Sequence, residues 1–297
     1  MRPTPQILPS GGVPRTISTP LPENAAGAAR IRVKCREGDT ALADLYHAQP
    51  LRVLFPLRVP GDIFQAAITC VAGGLVAGDR HDIDVTLDAG AKALVMGQAA
   101  EKIYRSNGPD CTINVNLRAG DDAWLEWLPQ ETILFDHARL RRTNRAQIAA
   151  TGRMLAGDIL VFGRTAHDEI LRTGLVHDAW AIRDDAGRLH WKDVLHMEGD
   201  LRATIANPAC FDGAQASASL IFRAPDAGAH LDMARAITDG VESATLRAGV
   251  TSFNTLLLAR FIGRNALELR EAFAKLWCGL RHAAAGLPPV MPRLWSV

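Results

Sequence analysis

The chain has 297 residues, with 33 Lys and Arg against 32 Asp and Glu, a formal net charge of +1 and 48% hydrophobic residues. A chain of this length buries about three-quarters of the surface its unfolded form exposes, and an ordinary apolar fraction with cancelling charges excludes wholesale disorder. The balance also excludes a nucleic-acid binder that works by displacing many counterions from a phosphate backbone.

The chain opens on Pro3, Pro5, Pro9, Pro14, Pro20 and Pro22. Proline at that density removes backbone donors and favours extended conformers, so residues 1–29 read as a mobile tail. The charged-then-apolar pattern of a secretory leader is missing, and no apolar run reaches the roughly 18 residues of a membrane helix. A cytoplasmic chain without a membrane partner is expected. Its five cysteines (Cys35, Cys70, Cys111, Cys210, Cys278) form no Cys-x-x-Cys pair, so they read as free thiols rather than a disulfide framework or structural zinc site.

From His81 polar and apolar residues alternate, placing Ile83, Val85 and Leu87 on one face of a half-buried strand. Gly90 then turns the chain into Ala93, Leu94 and Val95. Thirty residues on, Val115, Leu117, Ala119, Gly120 and Ala123 repeat Val85, Leu87, Ala89, Gly90 and Ala93. Both copies read as strand, Ala-Gly turn, strand, which predicts stacked hairpin-like layers. Further strand-like runs follow at 159–162, 220–222 and 256–262. A helix is predicted from Ala229 to Leu246 through Leu231, Ala234, Ile237 and Val241. A second starts at the N-cap Asn265 with Glu268 as a capping-box partner, carries Leu269, Phe273, Leu276, Leu280 and Ala284 on one stripe, and stops at Gly286, Pro288 and Pro289. The expected fold is therefore mainly β: stacked strand layers, β-helix-like or sandwich, over residues 30–225, with two C-terminal α-helices and an intervening strand over 226–297, packed as one domain.

Motifs for chemistry are sparse. Gly73 and Gly78 have the spacing of a phosphate loop, but Asp79 and Arg80 follow where Lys and Ser/Thr would neutralise phosphate and hold Mg²⁺. His81-Asp82-x-Asp84, His167-Asp168-Glu169, His177-Asp178, and His190 with His196-Met197-Glu198 combine imidazole with carboxylate. Sequence neighbours on a strand face opposite ways, so only pairs such as His196 and Glu198, or Asp82 and Asp84, share a face. No tight site is expected from sequence neighbours alone. Arg139, Arg141, Arg142 and Arg145 read as a solvent-facing basic edge. Glu131 stands out as an ionisable carboxylate among apolar neighbours, which needs a partner, an ion or a proton.

Five ordered blocks resemble one family. They are Gly73-Gly74-Leu75-Val76-Ala77-Gly78-Asp79; Lys102-Ile103-Tyr104-Arg105-Ser106; Leu125-Glu126-Trp127-Leu128-Pro129-Gln130; Gly163-Arg164 with Glu169; and Pro292-Arg293-Leu294-Trp295. Together they are similar to the urease accessory protein family UreD, also called UreH. Val71-Ala72, Asp168 and His137 depart from the family pattern. The resemblance implies a layered β fold with C-terminal helices and a non-enzymatic chaperone of urease maturation. It implies binding to urease apoprotein and UreF, with UreF recruiting the GTPase UreG and UreE as a further nickel donor. No tightly bound cofactor is implied, only transient Ni²⁺. A moving ion needs weak oxygen ligands rather than a deep Cys/His well, so Asp79, Glu131, Glu169 and Asp158 are the residues expected along a polar route. Trp277, Arg293 and Trp295 are the expected partner-interface residues. The alternatives from the residues alone are a scaffold that never handles metal and a β-rich metal-dependent hydrolase built on His196 and Glu198.

Overall fold

The computed structural model describes residues 27–164 and 169–296. The proline-rich segment lies outside these residues as far as position 26, and β1 begins at Gly27, inside the span expected to be tail. Strand β1 (Gly27–Arg36) pairs antiparallel with β2 (Asp39–Ala48), and β3 (Leu51–Leu54) with β4 (Phe64–Cys70). Three coils follow. The first comprises β5 (Arg80–Leu87), β6 (Lys92–Gly97) and the short β7 (Glu101–Ile103). The second comprises β8 (Cys111–Ala119), β9 (Trp124–Leu128) and the short β10 (Thr132–Leu134), and the third β11 (Arg139–Ile148) and β12 (Arg153–Phe162). The chain continues through β13 (Thr173–Arg183), β14 (Leu189–Asp200), α1 (Leu201–Ala206), β15 (Ala216–Arg223), α2 (Leu231–Asp239), β16 (Leu246–Phe253), β17 (Leu256–Gly263) and α3 (Ala266–Ala285).

Each coil sends its first long strand to one sheet and its second to another. The seven-stranded sheet runs β14-β13-β11-β8-β5-β1-β2, parallel from β1 to β13 and closed at both ends by an antiparallel strand. The larger sheet runs β16-β17-β15-β12-β9-β6-β4-β3, with β7 and β10 forming a narrow third wall. The repeated units are thus coil turns linking two sheets, not hairpins. A parallel stack of this kind buries each layer only against its neighbours. The ladder pairs Val85 with Leu117 and Leu87 with Ala119, two residues beyond the thirty-residue echo. A slip of two preserves the inward face, so the pattern stays intact.

One apolar core fills the space between the sheets, with Ile31, Val85, Leu117, Ile148, Met154 and Trp180 among its members. A second lies on the outer face of the larger sheet, where Trp124, Leu155 and Phe222 meet Leu269, Phe273, Leu276, Trp277 and Leu280 of α3. Because α2 and α3 cover that face, β9 and β12 are apolar on both sides and lose the alternation of half-buried strands.

The two C-terminal helices are present with changed details. Asn265 caps α3 by accepting from the Leu267 and Glu268 amides at 2.9 and 3.2 Å, and Gly286 ends it in a left-handed conformation. Glu268 does not close a capping box. It accepts instead from Ser243 and Thr245 at 2.7 and 2.6 Å. The earlier helix is shorter than the expected 229–246: a 3-10 turn at Ala227–His230 leads into α2, which stops at Gly240. Ser243 and Thr245 engage local side-chain and backbone groups that compete with helix, and Leu246 starts β16.

Candidate functional site

The two sheets and the third wall enclose a cavity of about 170 Å³. Its lining includes Cys70, Gly73, Gly74, His81, Glu101, Lys102, Trp127, Pro129, Gln130, Thr132, Arg142, Asn144, Asp158 and Trp180. Its polar floor is built by period two. On β11 the inward positions are Leu140, Arg142, Asn144, Ala146 and Ile148, so the third coil puts a guanidinium and an amide where the second puts Ile113 and Val115, and the first puts His81 and Ile83. Arg142 is consequently buried, not part of a solvent-facing edge with Arg139, Arg141 and Arg145. Its Nε donates to Asp178 Oδ1 at 2.9 Å, Nη2 donates to Asp178 Oδ2, and Nη1 donates to Thr132 at 3.0 Å. Asn144 also donates to Asp178, at 3.1 Å.

Asp158 points inward from β12 and accepts from Trp180 Nε1 at 2.7 Å. Burial first, and then the neighbouring Asp178 charge, push its carboxyl well above the ordinary range, with Arg142 opposing. Burial likewise raises Glu101 to about 7 against the pull of Arg142, and lowers His81 to about 4, so that its imidazole is neutral. The cavity therefore offers two carboxyl groups poised near neutrality, a neutral imidazole and a neutral thiol. Among the described residues no three His, Cys, Asp or Glu side chains come together to hold a metal ion. These donors stand on separate walls, His81 on β5, Glu101 on β7 and Asp158 on β12, and without a cluster they suit weak contact better than capture.

The blocks Gly73–Asp79 and Lys102–Ser106 form one rim of the cavity. Leu75 N donates to Lys102 O at 2.8 Å, Tyr104 N to Leu75 O at 2.9 Å, and Tyr104 Oη to Gly73 O at 3.2 Å. A Cβ on Gly74 would stand 2.5 Å from Lys102 O and 2.7 Å from Tyr104 Cε2, so the close approach requires glycine. Asp79 closes the turn by accepting from Val76 N at 2.8 Å and does not line the cavity. Tyr104 packs edge-on against Phe135 with ring centroids 4.7 Å apart, Arg164 lies 4.6 Å over the same ring, and Arg105 is exposed. Gly163 admits Glu169 against its backbone, where a Cβ would meet Glu169 O at 2.2 Å. Arg164 Nε pairs with Glu169 at 2.5 Å. Gly163, Arg164 and Glu169 of this family block thus hold one another, and His167 and Asp168 lie outside the described residues.

A model of the urease accessory protein UreD matches residues 25–296. The chain belongs to the UreD family. It is 39% identical over 277 residues to the urease accessory protein UreD of Magnetococcus marinus, covering 93% of this chain and 95% of that one. It is 41% identical over 261 residues to that of Methylobacterium sp. strain 4-46, covering 87% and 90%. UreD 1 of Methylobacterium radiotolerans is 37% identical over 292 residues, 98% of each chain.

In this UreD chain the Leu-Glu-Trp-Leu-Pro-Gln block sits between both cores. Trp127 faces the cavity, while Glu126 points to α3 and is fully buried. Arg281 on α3 reaches Glu126 at 3.1 Å and Asp62 at 2.7 Å, so Glu126 rather than Glu131 is the carboxylate without solvent. Its sequence signal was an acid inside a strand with apolar residues on either side. Glu131 is paired with Arg270 at 2.9 Å. Arg270 also donates to Gln130 Oε1 at 2.9 Å and to Trp295 O, while Gln130 Nε2 donates to Leu294 O at 2.9 Å. Trp295 stacks on Phe273 with centroids 5.9 Å apart, and both Trp277 and Trp295 are buried. Those tryptophans, expected at a partner interface, instead anchor the C-terminal segment to the core. Arg293 is the exposed member of that trio.

Of the four carboxylates expected along a polar route, the cavity contains Asp158; Asp79, Glu131 and Glu169 lie elsewhere. Sequence reasoning misses Glu101, weighs His81 and Asp178 only within imidazole–carboxylate runs, and reads Arg142 as part of a basic edge. Continuing the alternation through 140–148 exposes Arg142. Glu101 carried no signal beyond preceding the Lys102 block.

Proposed function

We propose that this chain is a non-catalytic, cytoplasmic chaperone of urease maturation. It binds urease apoprotein and, with UreF and the GTPase UreG, assists GTP-dependent nickel insertion, with UreE as a further donor to the complex. Within that role its interior offers Ni²⁺ a polar passage. The observation that carries this reading is the cavity, where Glu101 and Asp158 supply oxygen donors without a cluster that would trap the ion. The revised route residues are therefore Asp158 and Glu101, with the neutral His81 imidazole beside them. Membership of the UreD family supports the maturation role, and the failed phosphate loop fits GTP hydrolysis by a partner.

The test is complementation of cells whose urease operon lacks only this gene. The wild-type chain should restore urease activity and nickel content. Asp158→Asn and Glu101→Gln should retain UreF and urease in pull-downs while lowering urease nickel content at least severalfold. Full nickel content with both variants together would eliminate the passage. That result would favour a scaffold linking urease to UreF, a reading already supported at Glu131 and Glu169 by their arginine partners. Failure of the wild-type chain to restore activity alongside its cognate partners would overturn the maturation role itself.

A further inference from the structure

The outer face of the seven-stranded sheet carries a feature unrelated to the cavity. His177 on β13 and His196 on β14 are direct cross-strand partners in the antiparallel ladder. Period two turns Asp178 inward to Arg142 and leaves His177 on the solvent side, facing the exposed His196. The two Nδ1 atoms stand 3.3 Å apart, with ring centroids separated by 5.5 Å and planes inclined at 68°. Glu198, two residues along the same face, is held by Arg139 at 3.1 Å, while among the described residues the imidazoles meet only each other through the Nδ1–Nδ1 hydrogen bond, which an ion between them replaces once both rings carry their proton on Nε2.

That separation is informative. Two nitrogens bound at about 2.05 Å to one tetrahedral ion are about 3.3 Å apart, whereas adjacent positions of an octahedral ion bring them to about 2.9 Å. The pair already has the tetrahedral bite, set by two rigid strands rather than by a loop. We propose that His177 and His196 form a two-imidazole surface chelate for a tetrahedral late first-row divalent cation of the zinc class. Imidazole nitrogen suits such ions. The two remaining positions are open to water or to a donor from another molecule, making this a site of exchange rather than structure.

Co²⁺ is the probe, because its tetrahedral complexes absorb visible light far more strongly than its hydrated octahedral ion. The untagged full chain titrated with Co²⁺ should develop tetrahedral bands that saturate near one equivalent and disappear on addition of Zn²⁺. His177→Ala and His196→Ala should each weaken binding at least about 10-fold, the lower end of the loss seen when even an outer-shell partner of a metal ligand is removed. Both side chains lie on the solvent side, and circular dichroism should confirm unchanged folding. Retention of the bands in both histidine variants, or only the hydrated-ion spectrum in the wild type, would each overturn the assignment.

Discussion

Arg281 has no exposed surface, yet it holds the helical layer to the larger sheet through charge. Besides Asp62 and Glu126 it donates to Pro288 O and Val290 O at 2.9 and 3.1 Å. Asp62 has further donors in Ile63 N and Gln65 Nε2, while Glu126 receives Trp124 Nε1 at 2.8 Å and leaves Oε2 without a partner. One cation thus serves two buried carboxylates. Burial raises the Glu126 pKa, with Arg281 as the main opposing influence. Arg281→Met removes the cation and strands both acids and two carbonyls, which should cost about 3–5 kcal/mol. Glu126→Gln weakens two charge-assisted hydrogen bonds but removes the uncompensated charge, so about 1 kcal/mol or less is expected. In the double variant about 2 kcal/mol of the Arg281→Met loss should return, since one stranded acid is gone. Urea unfolding of the four proteins, followed by tryptophan fluorescence, gives the cycle. Glu126→Gln as damaging as Arg281→Met, or no coupling between the two, would refute the charge argument and leave Arg281 as a packing residue.

The cavity makes stability depend on pH. Glu101 has a folded pKa of about 7 against an ordinary 4.5, so the folded state holds its proton more tightly than the unfolded chain. The native state therefore loses stability as pH rises from about 4.5 to about 7, by at most about 3 kcal/mol, and the loss levels off above that. Glu101→Gln should flatten this slope, seen as a smaller difference between urea midpoints at pH 5 and pH 8. An unchanged difference would mean that Glu101 is not held protonated. Asn265→Ala should lower stability by about 1 kcal/mol through loss of the α3 cap. Because Glu268 is anchored to Ser243 and Thr245 instead of closing a box, Glu268→Gln should leave the Asn265 contribution intact, measurable by the same unfolding assay.

The layered body was legible because Ile83, Val85 and Leu87 alternate against water on one side, and the α3 stripe because Asn265 and Gly286 bound it chemically. Other elements gave weaker signals for identifiable reasons. β9 and β12 are buried on both faces, so their sequences lose the period that marks a half-buried strand. The third coil was masked by Arg142 and Asn144 at positions where Ile113 and Val115 set the pattern one coil earlier. Charged residues on neighbouring positions looked like one solvated run, although β11 sends them to opposite faces. The family blocks located the rim residues but not their roles. Asp79 and Glu169 are acids that close loops, and Glu131 is an acid that fixes the C-terminus. Those partners lie 3, 5 and 139 residues away in sequence, and a one-dimensional pattern carries no record of the longest.

The interior charges explain how such a cavity could serve an ion without binding it tightly. Arg142 is permanently cationic, and Asp178 neutralises it through two hydrogen bonds. Glu101 and Asp158 are both raised toward neutrality, so the buried groups around Arg142 carry no net charge while each keeps its proton, and Lys102 stands apart from them at the rim. With both carboxyls raised to about 7 and therefore about half-ionised at neutral pH, an entering divalent cation displaces the protons they still hold and meets their anionic fraction for the rest of its charge. The interior then avoids the desolvation penalty of an unbalanced dication, which would otherwise bar an ion from a space walled by β-sheet. The same exchange limits affinity, because every ion bound must outcompete protons and can be released by them. On the proposed function, Asp158→Asn is informative for this reason: it keeps the side-chain volume and an oxygen acceptor for Trp180, but can neither exchange a proton nor become an anionic oxygen ligand.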